Sequence, residues 1–241
     1  MSNIKKRDER PAEKINEDKM LKRRLLMSVL GVLISGLSVG LFKRASLGVD
    51  PFQSLMSGLD AVLPIRFGTL YVIVCALLLL FSLITDRRKI GIATLINLFF
   101  FGYVAEFSLW RLQNWFPDLS LTGRFVMLIL GIVIMCFASA FYFTADMGVS
   151  VYDAISLIVS ERQRKVPFRF CRIISDLVCV SLGTALCLLS GMTWREVTGS
   201  VGIGTIITAF FMGPLIEFFK IHAAVPFLDK APVQRRNARN G

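Results

Sequence analysis

The chain alternates between six long apolar segments and short polar ones. Each apolar segment is 18 to 21 residues long, and together they cover residues 25–42, 67–85, 90–110, 125–143, 173–190 and 201–219. A helix that crosses the hydrocarbon core of a bilayer, about 30 Å thick, needs roughly 17 to 25 apolar residues. The segments lack the strict alternation of a β-barrel wall. The pattern therefore predicts an all-α integral membrane protein with about six transmembrane helices.

The two halves of the chain repeat one pattern. A shift of 100 residues places residues 25–50 over 125–150 without a gap, and a shift of 111 places residues 90–107 over 201–218, where nine of 18 positions are identical. The matches include Gly, Thr and Glu, which a shared apolar composition does not explain. Self-similarity of this kind indicates a duplicated structural unit.

Each unit contains a short polar segment after its first span, at residues 44–64 and 144–161. Asp50 precedes Pro51, and Ser150 precedes Asp153 by three residues, which are signals for the start of a helix. Twelve helical residues extend about 18 Å, which is too short to cross the bilayer core. We therefore expect an interrupted or re-entrant helix in each unit.

The distribution of charge predicts the orientation. A unit of three spans is odd, so the second copy must enter the membrane inverted relative to the first. With a cytoplasmic N-terminus, 22 of the 28 Lys and Arg residues fall in predicted inside segments and 6 fall outside, which is the positive-inside distribution. Eight spans in parallel repeats would distribute these charges less cleanly. The predicted parts are a basic cytoplasmic tail at 1–24, membrane repeats at 25–113 and 122–220, and a second basic cytoplasmic tail at 221–241.

The remaining composition argues against an enzyme. The net charge of +11 is concentrated in the tails and at span ends, so it favours anionic lipid over nucleic acid as a partner. The five cysteines show no metal-ligand spacing, and the single histidine, His222, follows the last span. No nucleotide-binding or nucleophile-elbow motif is present. We expect neither catalysis nor a bound cofactor or metal.

Inverted repeats with broken helices are typical of secondary transporters, whose solutes bind where the broken helices meet. The candidate solute-binding residues are Gly48, Asp50, Asn97, Gly148, Ser150, Asp153, Asp176 and Thr208. Free backbone N–H groups at the two short helix starts would favour an anion or a carboxylate, although the Asp50 carboxylate competes for those donors. The alternative is that these starts are capped turns that fill the bundle, and that Asn97 and Thr208 form hydrogen bonds between helices.

Charged residues near span ends form a second set of candidates for gating or ion pairs: Arg66, Glu106, Arg169, Arg172 and Glu217. Glu106 and Glu217 occupy equivalent repeat positions. They could form ion pairs with Arg66 and Arg169, or act as paired gates or proton sites; we expect the ion pairs. Arg172 precedes Asp176 by four residues, so the two side chains are expected to face each other on one helix.

Gly48, Asp50, Pro51 and Phe52 form a motif after the first span, and the Gly–Thr pairs Gly91/Thr94 and Gly202/Thr205 lie at two later span starts. These motifs resemble those of the YczE/YyaS/YitT-like bacterial membrane proteins. The resemblance covers roughly residues 25–220 and weakens in the second half, which has Val151 where the first has Pro51. It implies a multi-pass protein of the bacterial cytoplasmic (inner) membrane, and it supplies no substrate.

Two functions are compatible with these patterns. The first is a small-solute transporter or exporter that works by alternating access. The second is a non-transporting regulator or scaffold whose basic tails contact a cytosolic partner or anionic lipid. A transporter should enclose a polar cavity that reaches Asn97, Asp176 or the short helix starts, whereas a scaffold should be packed shut with its ionisable groups paired.

Overall fold

Each long apolar segment forms a helix in the computed structural model, which describes residues 2–86, 90–163 and 168–229. The side chains of residues 2–17 and of Arg169, together with residue 1 and residues 230–241 of the predicted tails, lie outside the described part of the chain. Within the described ranges all regular secondary structure is helical. The α-helices are α1 (Ser2–Ala45), α2 (Pro51–Val62), α3 (Phe67–Thr85), α4 (Ile92–Trp115), α5 (Leu121–Ala145), α6 (Val151–Gln163), α7 (Phe168–Leu189), α8 (Trp194–Ser200), α9 (Ile203–Phe219) and α10 (Val225–Asp229), with a π-helical turn at Lys220–Ala224.

Six helical segments are long and apolar enough to cross a membrane, as predicted. They are Asp18–Ala45, Phe67–Thr85, Ile92–Trp115, Leu121–Ala145, Phe170–Leu189 and Glu196–Asp229. The first continues without a break from the predicted basic tail, because α1 is a single helix. The chain is thus a polytopic, all-α membrane protein.

Two short helices, α2 and α6, follow the first and fourth spans, as the sequence predicts. The Asp50 carboxylate accepts a hydrogen bond from the Gln53 N–H at 3.2 Å and caps α2, in which Pro51 is the first residue. Ser150 Oγ likewise accepts from the Asp153 N–H at 3.1 Å at the start of α6. Such side-chain acceptors satisfy donors that a helix start leaves unpaired.

A third short helix, α8, was not predicted. Thr193 is its N-cap, and the Glu196 carboxylate accepts hydrogen bonds from the Thr193 N–H and Oγ1 at 2.7 and 2.8 Å. This pairing is a capping box. The sequence contains the pattern, but it lies just before the sixth apolar segment and was not read as a separate helix. The helix ends at Ser200, immediately before α9, and its final carbonyls become acceptors for the first half of the chain.

The connections that precede α2 and α6 share one backbone shape and dock in equivalent ways. Ser46 and Asp146 have φ values of 52° and 51°. The Leu47 carbonyl accepts from the Gly204 N–H at 2.7 Å, and the Met147 carbonyl accepts from the Ala93 N–H at 3.0 Å. Each connection therefore contacts the start of a span from the other half of the chain.

Helices α1 and α5 pack along each other at the centre of the bundle. Ser38 Oγ donates to the Gly131 carbonyl at 2.7 Å, and Gly31 lies against Ala138 and Tyr142 so closely that a Cβ would meet both. Small residues at a helix interface let two backbones approach, which is how membrane helices gain packing energy. The short helices and the remaining spans surround this pair.

Candidate functional site

A cavity of about 460 Å³ lies beside α1 and α5, between the short helix starts and the spans α3, α4, α7 and α9. This volume is within the usual range for small-molecule sites. Six of the eight candidate solute-binding residues line it, together with Arg172 from the charged set: Asp50, Asn97, Ser150, Asp153, Asp176 and Thr208. The structure thus brings together residues from both halves of the chain.

Gly48 and Gly148 do not line the cavity. They have φ values of +105° and +109°, a conformation that favours glycine, and each lies against the start of a span, Gly202 for Gly48 and Gly91 for Gly148. The Gly48 N–H donates to the Gly199 carbonyl at 3.1 Å. These glycines serve a close backbone approach within the protein, and the structure does not place them against a solute.

The two short helix starts present capped rather than open donors to the cavity. Asp50 occupies the N–H of Gln53, and Ser150 occupies that of Asp153, whose carboxylate in turn accepts from Ser150 Oγ at 2.6 Å. A helix start that already carries its own carboxylate has little left to offer an anion. The local geometry therefore works against the expected preference for an anionic solute.

Arg172 joins two carboxylates at one end of the cavity. Its guanidinium contacts Asp153 and also donates from Nε to Asp176 Oδ1 at 3.2 Å, which confirms the predicted pairing four residues apart. Tyr152 OH donates to the same Asp176 oxygen at 2.6 Å. The guanidinium carbon also lies 4.5 Å from the centre of the Tyr152 ring, a cation–π geometry. Arg172 is thus held by two acids and one aromatic face.

Asp50 differs from the other two acids because it has no ion-pair partner within the described part of the chain. Its carboxylate accepts the hydrogen bond from the Gln53 N–H at 3.2 Å. It lies in the connection before α2, outside the six spans. Burial is the largest effect on this carboxyl and raises its pKa to about 6, while the Gln53 hydrogen bond and the charge of Arg172 act in the opposite direction.

Two other polar groups of the cavity lack a hydrogen-bond partner among the described residues: Gln53 Oε1 and Tyr142 OH. Their residues are only 2% and 6% exposed. Buried polar atoms are almost always hydrogen-bonded in folded proteins. Both exceptions belong to residues that line this one cavity.

Asn97 and Thr208 both line the cavity while hydrogen-bonding within the protein. Asn97 Oδ1 accepts from Tyr71 OH at 3.0 Å and so joins α4 to α3, which is the expected interhelical role. Thr208 Oγ1 donates to the Thr205 carbonyl within α9 at 3.0 Å. The Asn97 amide group keeps its two N–H donors for other partners.

Aromatic rings form the apolar part of the lining, and Phe52 is the one that belongs to a motif identified in the sequence. Phe52 stacks on Tyr152 with ring centres 4.8 Å apart and an interplanar angle of 21°. Tyr71 lies edge-on to Phe52 at 6.0 Å and beside Phe101 at 5.0 Å. The shift of 100 residues that aligns the halves places Phe52 over Tyr152, so the alignment contained the signal.

The two gating candidates Glu106 and Glu217 have different partners. Glu106 Oε2 accepts from the Gly68 N–H at 3.1 Å. Arg66 lines a small pocket beside Glu106 but, among the described residues, makes no ion pair with it, so the pairing expected from the sequence is absent. Glu217 pairs instead with Lys220 at 3.3 Å on the exposed surface. The side chain of Arg169, its predicted partner, lies outside the described residues.

The last two spans of each half, α3 and α4 in the first and α7 and α9 in the second, pack differently. Helix α3 packs along α4, where Gly102 lies directly against Tyr71 and Gly68 against Tyr103. In the second half α7 does not pack along α9 in this way, and a Cβ on Gly213, the repeat equivalent of Gly102, would meet nothing within 4 Å. The cavity is therefore closed between α3 and α4 and bordered by a gap between α7 and α9.

Comparisons with known proteins bear on the family alone. The sequence profile of the Family of unknown function (DUF6198) matches residues 22–221. The uncharacterized protein YyaS of Bacillus subtilis is 26% identical over 201 residues, which are 83% of this chain and 94% of YyaS. The uncharacterized membrane protein YczE of the same organism is 25% identical over 225 residues, 93% of this chain and 96% of YczE.

An uncharacterized protein of Haemophilus influenzae is 25% identical over 206 residues, 85% of this chain and 86% of the relative. No solved structure matches the chain. The resemblance predicted from the glycine-rich motifs is confirmed by these relatives.

Proposed function

We propose that this chain, which belongs to the Family of unknown function (DUF6198), is a small-solute transporter that works by alternating access and is built from two inverted repeats. The observation that carries the proposal is the cavity between the two halves, which is closed along α3 and α4 and open along α7 and α9. Transporters of this architecture hold their solute at the interface of the repeats and rock one half against the other.

Equivalent contacts between the halves support the inverted repeats. Helix α2 packs on α7, and α6 packs on α3, which are corresponding pairs if the halves exchange places. Phe52 and Tyr152, which the alignment equates, stack on each other. A residue that contacts its own equivalent must lie on the axis that relates the two copies. The two docked connections before α2 and α6 obey the same exchange.

The distribution of charge supports an orientation for this state. If the N-terminus is cytoplasmic in the bacterial inner membrane, the end of α6, the start of α7 and the end of α9 also lie on the cytoplasmic side. Arg172, near the start of α7, and Ile216, near the end of α9, both line the cavity. The structure then represents an inward-facing state, with the contacts between Gly68 and Glu106 as the closed outer side.

The rival function, a non-transporting regulator or scaffold, predicts a bundle packed shut with its charges paired. Among the described residues, Asp50 has no ion-pair partner and the polar groups of Gln53 and Tyr142 have no hydrogen-bond partner, which is contrary to that expectation. The basic tails remain suited to anionic lipid in either case. The proposal includes no catalytic step and no cofactor.

Cysteine accessibility tests the proposal without knowledge of the solute. Ser139 lines the cavity; we would introduce Ser139→Cys after replacing the five native cysteines, and apply a membrane-impermeant maleimide to right-side-out and inside-out vesicles. An alternating-access protein labels from both sides, faster from the cytoplasm. Asp118→Cys, in the exposed connection between α4 and α5, is the control that labels from one side only.

A second variant separates alternation from leakiness. Gly213→Ala adds a Cβ that meets no described atom within 4 Å, so it fits the observed state. At the equivalent Gly102 such a Cβ would lie 2.6 Å from Tyr71, so the variant should obstruct a closed contact between α7 and α9. We expect labelling of Ser139→Cys from the outside to fall about tenfold or more, with cytoplasmic labelling unchanged. Labelling from a single side in every variant would contradict transport.

A further inference from the structure

The charges around the cavity are unbalanced in favour of acids. The charged residues among the described lining are three aspartates and one arginine: Asp50, Asp153, Asp176 and Arg172. Arg172 already contacts both Asp153 and Asp176. Because one guanidinium is shared by two carboxylates, the third acid has no cation left within the described lining, and a buried carboxylate without a counter-ion is costly.

From this imbalance we infer that the cavity binds a small organic cation, with its ammonium group against Asp50 and its apolar body among the aromatic rings of the lining. The inference rests on the proposed transport function and names the chemical class of its solute. It replaces the anion expected from the helix starts, because those starts are capped by Asp50 and Ser150.

Gln53 Oε1 supports the cation independently of the charges. An amide oxygen is only an acceptor, and this one is buried, belongs to a residue of the cavity lining and has no donor among the described residues. Gln53 follows Asp50 by three residues, in the first turn of α2, and its backbone N–H already donates to the Asp50 carboxylate. An ammonium group offers three N–H donors, enough for the carboxylate, the amide oxygen and one further acceptor.

Tyr142 OH, on α5, is a second buried oxygen of the lining that lacks a partner among the described residues. A phenol hydroxyl accepts as well as donates, so it is chemically able to contact the same ammonium. The Gln53 amide oxygen needs a hydrogen-bond donor, and the Asp50 carboxylate needs positive charge. A carboxylate solute would supply neither, although it could accept a hydrogen bond from Tyr142 OH.

The aromatic rings complete the site for a cation with an apolar body. Phe52, Tyr71 and Phe101 follow one another in ring contacts of 6.0 and 5.0 Å along the lining. Aromatic faces attract cations through the ring quadrupole. Arg172 over the Tyr152 ring shows this geometry with the protein's own cation at 4.5 Å.

A series of three probes on one skeleton tests the charge preference. The full chain in nanodiscs of zwitterionic lipid is titrated with 2-phenylethylammonium, neutral 2-phenylethanol and anionic phenylacetate by isothermal titration calorimetry. We expect the cation to bind about tenfold or more tightly than either analogue, as one charge-assisted contact implies. Equal or tighter binding of phenylacetate, or no binding of the cation at millimolar concentration, would overturn the inference.

Asp50→Asn locates the site. Asparagine caps helices as well as aspartate does, so α2 should fold, and we expect affinity for 2-phenylethylammonium to fall about tenfold. Gln53→Met, which keeps the volume and removes the acceptor, should weaken binding severalfold. Asp118→Asn, which removes an acid outside the cavity, should change nothing. Unchanged affinity in Asp50→Asn would contradict the assignment.

The titration tests the organic cation and the cysteine labelling tests transport, so each claim can be contradicted without the other. Cation binding through Asp50 together with one-sided labelling of Ser139→Cys would leave the site assigned and remove transport. Two-sided labelling without cation binding would leave transport supported and remove the organic cation as its solute.

Discussion

The Glu106 carboxylate, near the end of α4, accepts a hydrogen bond from the backbone N–H of Gly68, in the first turn of α3, at 3.1 Å. A carboxylate at a helix start satisfies an unpaired donor and interacts favourably with the helix dipole. Its repeat equivalent, Glu217, is exposed and pairs with Lys220 in the following turn instead. The closed side of the cavity thus has a contact that the open side lacks.

Glu106→Ala should weaken the outer closure. A hydrogen bond to a charged group contributes roughly 1.5–3 kcal/mol, so the population open to the outside should rise about tenfold. The measurement is the rate at which Ser139→Cys reacts with an impermeant maleimide from the outside. Glu106→Gln, whose amide oxygen still accepts, should give an intermediate rate.

Glu217→Ala is the matched control for that variant, because it removes only a surface pair with Lys220 in the observed state. Exposed ion pairs contribute little, so labelling from outside should not increase. A rise as large as that of Glu106→Ala would show that Glu106 acts through general destabilisation rather than through its bond to Gly68.

Gly148→Ala should destabilise the fold through both backbone conformation and contact. A positive φ costs a non-glycine residue roughly 1–2 kcal/mol, and the new Cβ would in addition meet the backbone of Gly91. Gly191→Ala is the control, because Gly191 also has a positive φ, of +84°, but nothing within 4 Å of an added Cβ. Thermal melts in detergent should show a clearly larger decrease of Tm for Gly148→Ala, and equal decreases would contradict the close approach to Gly91.

Arg172→Gln should destabilise the protein and be rescued by removal of an acid. The substitution leaves Asp153 and Asp176 without their cation at side-chain exposures of 15% and 16%. Loss of one partner from a fully buried pair costs roughly 3–5 kcal/mol, and partial exposure reduces this to about 2 kcal/mol. Adding Asp153→Asn should recover part of the lost Tm, whereas Asp118→Asn in the same background should not.

Binding of 2-phenylethylammonium should weaken as the solution is acidified. The pKa of Asp50 is raised to about 6 by burial, so its carboxyl becomes neutral below that pH and no longer attracts a cation. The charged groups that share the cavity with it are Asp153, Arg172 and Asp176. We expect the affinity to fall severalfold between about pH 7.5 and about pH 5, and the dependence to flatten in Asp50→Asn. Tighter binding at the lower pH would contradict the role of Asp50.

The sequence sufficed for the spans and for the helix starts because both depend on local chemistry. Apolar length predicts a span, and the carboxylate of Asp50 or the hydroxyl of Ser150 predicts a cap within three residues. Gly48 shows where this approach ends. A glycine is needed at this position because a Cβ would collide with the backbone of Gly202, and no local pattern reveals this partner from the other half.

The composition of the site was predicted better than its charge preference. Asp176 and Asn97 were selected because polar groups inside spans are costly, and both line the cavity. The helix starts suggested an anion, but Asp50, which caps α2, is the acid of the lining that has no counter-ion among the described residues. Tyr152 was missed because an aromatic residue in an apolar helix resembles ordinary packing until its repeat partner, Phe52, is placed against it.

The crossed docking of the two connections has a consequence for biogenesis. The N–H groups of Gly48 and Val49 donate to the carbonyls of Gly199 and Ser200, which the ribosome adds about 150 residues later. Until the last helix is inserted, the first half therefore holds unpaired backbone groups at the membrane, a costly condition in lipid. Chains truncated before α8 should be recognised by membrane quality-control proteases, so the protein reaches maturity only when synthesis is complete.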